Sequence, residues 1–92
     1  MTKDKRYTAV KSLIDTGGIT HFLAIFDYIP LKVVYEDMGI NYSRFKRLLA
    51  SPDLFTLREI STLSILFNTD IKKMVDLVTS QLESDKKGKR KK

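Results

Sequence analysis

Apolar residues recur every three or four positions along most of this chain, and residues that stop helices interrupt the pattern at short intervals. The interruptions are Gly17-Gly18, Pro30, Gly39, Pro52 and Asn68. Glycine and asparagine adopt the left-handed conformation that ends a helix, whereas proline breaks one helix or opens the next. No segment shows the alternation of a half-buried strand. The sequence therefore predicts an all-α fold, a compact bundle of five helices or of six with one at the start.

The stop residues and the apolar spacing together place the predicted helices. The first five run from Tyr7 to Asp15 with Thr8 as N-cap, from Thr20 to Ile29, from Leu31 to Met38, from Ser43 to Ala50, and after the capping box Thr56-Leu57-Arg58-Glu59. The last begins after Thr69 or Asp70 and ends near Glu83. Their expected inward residues include Phe22, Ile25, Phe26, Ile29, Val34, Phe45, Leu48, Leu57, Ile60, Leu63, Leu66, Phe67, Ile71, Met74, Val75, Val78 and Leu82.

Length and charge divide the chain into three predicted parts. With 92 residues it forms one domain, residues 7–83, preceded by a flexible arm at 1–6 and followed by a disordered basic tail at 84–92. The segment Lys86 to Lys92 carries six of the 17 basic residues, which leaves eleven basic and eleven acidic side chains in residues 1–85. The net charge of +6 therefore belongs to the tail, and the position of individual charges decides any argument about the domain.

Several classes of protein are not expected from this composition. The chain has no cysteine and one histidine, His21, so we expect no disulfide, no metal site and no thiol chemistry. The adjacent acids Glu36 and Asp37 have no histidine or serine beside them, and we predict neither catalytic residues nor a cofactor. The apolar runs are too short to span a bilayer, and we expect no secretory leader because no long apolar run follows residues 1–6. We expect a bacterial, cytoplasmic, nucleoid-associated protein that is not an enzyme and does not bind membranes.

The segment from Leu31 to Ala50 carries the functional prediction. Two short helices joined by a turn with a glycine, here Gly39, form the helix-turn-helix signature. The second helix places Tyr42, Ser43, Lys46 and Arg47 on its outer face, with Arg44 at its flank. Arginine pairs with guanine O6 and N7, serine bonds to base edges, and lysine pairs with phosphate. The segment thus predicts a helix, 43–50, that reads the major groove of double-stranded DNA. Its predicted DNA-binding residues are Tyr42, Ser43, Arg44, Lys46 and Arg47.

From Thr20 to Val78 the chain resembles the phage-repressor-like helix-turn-helix family, the Cro and xenobiotic-response-element type. The matching landmarks are Gly39-Ile40-Asn41-Tyr42-Ser43, Thr56-Leu57-Arg58-Glu59-Ile60 and Asp70-Ile71-Lys72-Lys73-Met74. The resemblance implies a lambda-repressor-like fold, a repressor-like transcription regulator that binds DNA as a homodimer, and base contacts by Tyr42, Ser43 and Arg47. It further implies that Lys46 contacts bases or phosphate, and that Lys32 and the start of the helix at Leu31 hold the DNA backbone.

Three features depart from the family pattern, and the first is that Pro30 replaces a hydroxyl N-cap. Tyr35 stands where the family has a small alanine between the two helices, so either the helix crossing opens or the ring turns aside. The loop 51–55 offers Asp53 in place of basic residues that face phosphate in relatives.

Other functions remain open at this point. Arg44, Lys46 and Arg47 also fit a solvated helix face without a ligand. A second alternative is an antitoxin-like protein-interaction module. Leu77 and the outer side of the last helix would serve either a homodimer or such a partner protein. Sequence-independent binding of nucleic acid through the tail is a third alternative.

Overall fold

The computed structural model describes the backbone of residues 4–90 and the side chains of residues 4–86. The described chain is all-helical, without a strand, which confirms the predicted fold class. Its five α-helices are α1 (Arg6–Thr16), α2 (Leu31–Met38), α3 (Tyr42–Ala50), α4 (Leu57–Phe67) and α5 (Ile71–Arg90). Two 3₁₀ helices join them, the first at Phe22–Asp27 and the second at Pro52–Leu54. None of these helices is long and apolar enough to cross a membrane.

Helix α1 begins before the expected N-cap. The prediction that Thr8 caps this helix is wrong, because Lys5 holds the N-cap position. Asp4 supplies the first-turn acceptors: its carboxylate accepts from the Arg6 backbone N–H at 2.9 Å and its carbonyl accepts from Tyr7 N–H at 3.1 Å. Residues 4–6 of the predicted arm are thus ordered against the helix, and residues 1–3 lie outside the described residues.

The segment after Gly18 forms a 3₁₀ helix instead of the predicted α-helix. Proline disfavours α conformation in the residue before it, so Pro30 limits the helix on its C-terminal side. The Thr20 hydroxyl lies 3.0 Å from Nδ1 of His21 and caps no backbone N–H. Phe22 and Ile25 are nevertheless buried as predicted.

Three predicted helix ends are confirmed. Gly17 and Gly39 adopt the left-handed conformation after α1 and α2, and Asn68 does so after α4 with φ 54°. At the start of α4, the Thr56 hydroxyl accepts from Glu59 N–H at 3.1 Å. The Glu59 carboxylate accepts from Thr56 N–H at 3.0 Å, which completes the predicted capping box.

One continuous core lies at the centre of the bundle, and most predicted inward residues belong to it. Leu57 is an exception, since 75% of it is exposed. It is the first residue of α4, and helical side chains lean toward the N-terminus, so Leu57 extends beyond the core. Ile71 and Val75 at the start of α5 are also exposed, whereas Leu77, which we expected on the outer side, is 4% exposed and belongs to the core.

Helix α5 extends to Arg90, past the predicted end at Glu83, so the backbone of 84–90 is helical where disorder was expected. Gln81 Nε2 donates to the Asp85 carboxylate one turn later at 3.0 Å. Basic residues in the last turns of a helix also favour it, because they oppose the negative end of the helix dipole. Residues 91 and 92 lie outside the described residues.

Candidate nucleic-acid interface

The turn between α2 and α3 is held by backbone and side-chain hydrogen bonds. Gly39 has φ 78°, and its N–H donates to the Glu36 carbonyl at 3.0 Å. Asn41 is the N-cap of α3, and its side-chain oxygen accepts from Arg44 N–H at 2.8 Å. The helix therefore begins at Tyr42, one position before the predicted start at Ser43. Helices α2 and α3 are thus joined by a turn of three residues, 39–41.

The inner face of α3 is fully buried. Phe45 and Leu48 have no exposed surface, and the Phe45 ring packs edge-to-face against Phe26 at 5.7 Å between centroids. Tyr35 of α2 packs along α3, with its ring centroid 5.6 Å from that of Tyr42 and 5.9 Å from that of Phe45. The bulky residue at this position thus contributes aromatic contacts between the two helices.

A partly buried hydrogen bond joins α1 and α2. The Tyr7 hydroxyl donates to the Asp37 carboxylate at 2.7 Å, and the Tyr7 ring packs on Phe67 of α4. Burial and the hydrogen bond with Asp37 both raise the pKa of Tyr7, so the phenol stays protonated and remains a donor. Through Tyr7, α2 is therefore joined to both α1 and α4.

The outer face of α3 is exposed and carries cations that a ligand can approach. Half of Tyr42 is exposed, and Ser43, Lys46 and Arg47 are open to solvent. Among residues 4–86, no carboxylate lies within ion-pair distance of Lys46 or Arg47. Lys46 Nζ lies 6.0 Å from the centroid of the Tyr42 ring, at the outer limit of a cation–π contact. This face therefore has two cations and two hydroxyl groups that a ligand can reach.

Arg44 differs from its two basic neighbours because it is paired within the protein. Its Nε and Nη2 donate to the two oxygens of Glu59 at 3.0 and 2.9 Å, and Nη2 lies 3.5 Å from the Leu54 carbonyl. The hydrogen bond with Glu59 raises the pKa of Arg44. Sequence reasoning grouped Arg44 with the DNA-contacting residues, but the structure directs its guanidinium to α4.

The Glu59 carboxylate joins the start of α4 to α3. It completes the capping box of α4 and binds Arg44 of α3, which also reaches the second 3₁₀ helix through Leu54. Partial burial alone would raise the pKa of Glu59, but hydrogen bonds from Arg44 and Thr56 outweigh it and the net pKa lies below its ordinary value. The capping motif predicts the bond to Thr56, whereas nothing local in the sequence predicts the partner fifteen positions away.

Lys32 lies in the first turn of α2, exposed to solvent and without an ion-pair partner among the described side chains. Pro30 holds the N-cap position of α2 and makes no side-chain cap bond. The first-turn N–H groups of this helix thus retain hydrogen-bonding capacity, which suits an anion.

The described part of the chain has no cluster of side chains that could bind a metal ion. No three histidine, aspartate or glutamate side chains in that part come close enough to hold a metal ion. His21 bonds to its neighbour Thr20 at the edge of the domain.

Comparisons with protein families, curated proteins and solved structures found no significant match to this chain.

Proposed function

We propose that this protein binds double-stranded DNA sequence-specifically and regulates transcription, with α3 in the major groove. The observation that carries the proposal is the contrast between the two faces of α3. Its inner face is locked into the core by Phe45 and Leu48. Its outer face presents Ser43, Lys46 and Arg47 to solvent. Among residues 4–86, neither of these two cations forms an ion pair with a carboxylate. A rigid helix with accessible donors on one side meets the requirement for reading base edges.

The dimensions of α3 also suit the groove. Its nine residues give a length of roughly 13 Å. The major groove is about 12 Å wide and admits one α-helix. In this arrangement Arg47 pairs with a guanine, Ser43 and Tyr42 contact neighbouring base edges, and Lys46 contacts a base or a phosphate. Lys32 and the first turn of α2 bind the DNA backbone.

Selection of bound sites from random duplex DNA tests the proposal directly. The full chain is incubated with the random pool, and bound duplexes are amplified and sequenced over several rounds. We expect a recurring motif whose information is concentrated in a few adjacent base pairs per half-site. A pool that stays random after selection would contradict sequence-specific binding.

A second candidate function is binding of a partner protein, as in an antitoxin-like module. Exposed apolar side chains favour it: Ile65 is 69% exposed near the end of α4, and Ile71 and Val75 are exposed at the start of α5. Leu77 has no part in this surface because it lies in the core. Co-purification of a second protein together with weak, sequence-independent DNA affinity would favour this candidate over the first.

A further inference from the structure

Helix α3 has two arginines one turn apart, and the structure leaves only the second of them open to a ligand. Arg44 precedes Arg47 by three positions, so their side chains are neighbours on the helix surface. Arg47 is exposed, whereas Arg44 is half-buried and its guanidinium binds Glu59 of α4. The protein therefore keeps one cation of its proposed DNA-binding helix paired within the fold.

Several contacts hold the Arg44–Glu59 pair closed. Arg44 donates from Nε and Nη2 to both carboxylate oxygens, at 3.0 and 2.9 Å, and this two-bond geometry is stronger than a single contact. The carboxylate also accepts from Thr56 N–H, so Glu59 cannot follow Arg44 if that side chain turns away. The Glu59 side chain is 14% exposed, and loss of Arg44 would leave a largely buried charge without its cation. We therefore expect the pair to persist when α3 binds DNA.

An unpaired Arg44 would lie close to phosphate in the arrangement that we propose for α3. A helix in the major groove has base edges in front of its outer face and a sugar-phosphate strand on each side. Arg44 lies at the flank of that face, beside Arg47, and a free guanidinium there can pair with a phosphate. Such a contact adds affinity for any duplex, and it would pull α3 toward one strand irrespective of base sequence.

We infer that Glu59 is a specificity-determining residue: by pairing with Arg44 it keeps this cation from DNA phosphate and holds α3 in the orientation in which Arg47 meets a base. The inference rests on the proposed function. Glu59 does not touch DNA and acts through Arg44, as a positioning residue. An acidic side chain next to the DNA-binding helix thus lowers the total affinity but improves the discrimination between sequences.

Equilibrium binding by the parent, Glu59→Gln, Arg44→Gln and the double variant tests the inference. Glutamine at position 59 keeps an oxygen for the capping box but loses the charge that holds Arg44. Asp15→Asn is the matched control, because Asp15 also pairs with cations, Lys11 and Lys73, but these lie on α1 and α5. Each protein is titrated at several salt concentrations on a duplex carrying the selected motif and on a scrambled duplex. Urea unfolding first confirms that every variant is folded under the binding conditions.

We expect Glu59→Gln to bind the scrambled duplex roughly 3- to 10-fold more tightly than the parent, because the released cation makes a new phosphate contact. The dependence of log affinity on log salt should steepen there by up to about 0.9. On the selected duplex the gain should be smaller, because α3 has lost the contact that orients it. A fold that is merely weakened would lose affinity for both duplexes without a steeper salt dependence. Asp15→Asn should leave the ratio of the two affinities unchanged.

The double variant distinguishes a withheld Arg44 from one that already contacts DNA. On the scrambled duplex, Arg44→Gln should have a small effect in the parent and should abolish the gain in the Glu59→Gln protein. Equal effects of Arg44→Gln in the two proteins, or an unchanged affinity ratio in Glu59→Gln, would overturn the inference while leaving sequence-specific binding intact. Failure of the parent to prefer the selected duplex would overturn the proposed function and the inference with it.

Discussion

Arg44 and Arg47 are the same residue type on the same short helix, yet their surroundings differ. Arg44 donates two hydrogen bonds to Glu59, whereas Arg47 is exposed and has no carboxylate partner among the described side chains. We assign Arg44 to holding α3 against α4 and Arg47 to contact with a base. Counting cations on α3 does not separate these roles, because the separation depends on a glutamate from another helix.

Replacing Glu59 with glutamine tests its role in stability. Glutamine keeps an oxygen that completes the capping box but loses the charge that pairs with Arg44. The pKa of Glu59 is lowered in the fold, so its charge stabilises the folded state fully above the ordinary glutamate pKa of 4.5. That stabilisation is lost as the pH falls through the lowered pKa that Glu59 has in the folded state. We therefore expect Glu59→Gln to lower the free energy of unfolding at neutral pH and to approach the parent in acid.

The measurement is urea unfolding of the parent and Glu59→Gln across this pH range. Other carboxylates titrate in both proteins, so their effects cancel in the difference between the two. A difference that stays constant from neutral to acidic pH would show that the charge of Glu59 does not stabilise the fold.

At the scale of the elements, the turn between α2 and α3 depends on the backbone conformation of Gly39. With φ 78°, this residue lies in the left-handed region, and a Cβ added there meets no atom within 4 Å. A Cβ at this position therefore meets backbone strain but no steric clash.

We predict that Gly39→Val destabilises the domain by about 1–3 kcal/mol and lowers its melting temperature, because β-branched residues avoid this conformation. Gly39→Asn is the matched control and should cost less, since asparagine tolerates the conformation and Asn68 adopts it after α4. Thermal unfolding of the three proteins checks the order. Equal melting temperatures for Gly39→Val and the parent would contradict the assigned turn.

Local sequence signals predicted most elements but not all of their details. Gly17, Gly39, Asn68 and the Thr56–Glu59 box each act through backbone conformation or a neighbour within one turn, so the pattern predicts them correctly. The first 3₁₀ helix was predicted as α-helical because apolar spacing alone does not distinguish the two. The burial of Leu77 and the exposure of Leu57 depend on how whole helices pack, which one helix's pattern does not contain.

The candidate site was predictable to a similar extent. The exposure of Ser43, Lys46 and Arg47 follows from the apolar face of α3 opposite them. The pairing of Arg44 with Glu59 and the approach of Lys86 to the end of α3 were not predictable, since both join residues distant in sequence. Tyr35 shows the same limit, because its packing between α2 and α3 depends on Tyr42 and Phe45 together.

At the scale of the whole molecule, we predict that two copies bind one DNA site. One recognition helix covers only a few base pairs, and a symmetric pair doubles the sequence that is read. The selected motif should then be an inverted repeat with half-sites roughly 34 Å apart, one turn of the duplex. The mass of the complex on the selected duplex gives the stoichiometry. One protein per duplex on a motif without internal symmetry would contradict this prediction.

Deletion of residues 86–92 should weaken binding to the selected and the scrambled duplex by similar factors, because phosphate contacts carry no base information. The dependence of log affinity on log salt should also become shallower, by up to about 0.9 for each phosphate that the shortened protein no longer neutralises. Titrations at several salt concentrations check both effects. An unchanged salt dependence after the deletion would show that this segment does not bind phosphate.

The most direct test of the central claim compares Arg47→Ala with the parent on the selected and scrambled duplexes. Lys72→Ala is the control for removal of one exposed cation outside α3. We predict that Arg47→Ala reduces the binding free energy on the selected duplex by roughly 1–3 kcal/mol and changes it little on the scrambled duplex. The preference at one base position of the motif should also become weaker. Lys72→Ala should leave the ratio of the two affinities unchanged. If Arg47→Ala weakens both duplexes equally, α3 does not read sequence and the account is wrong.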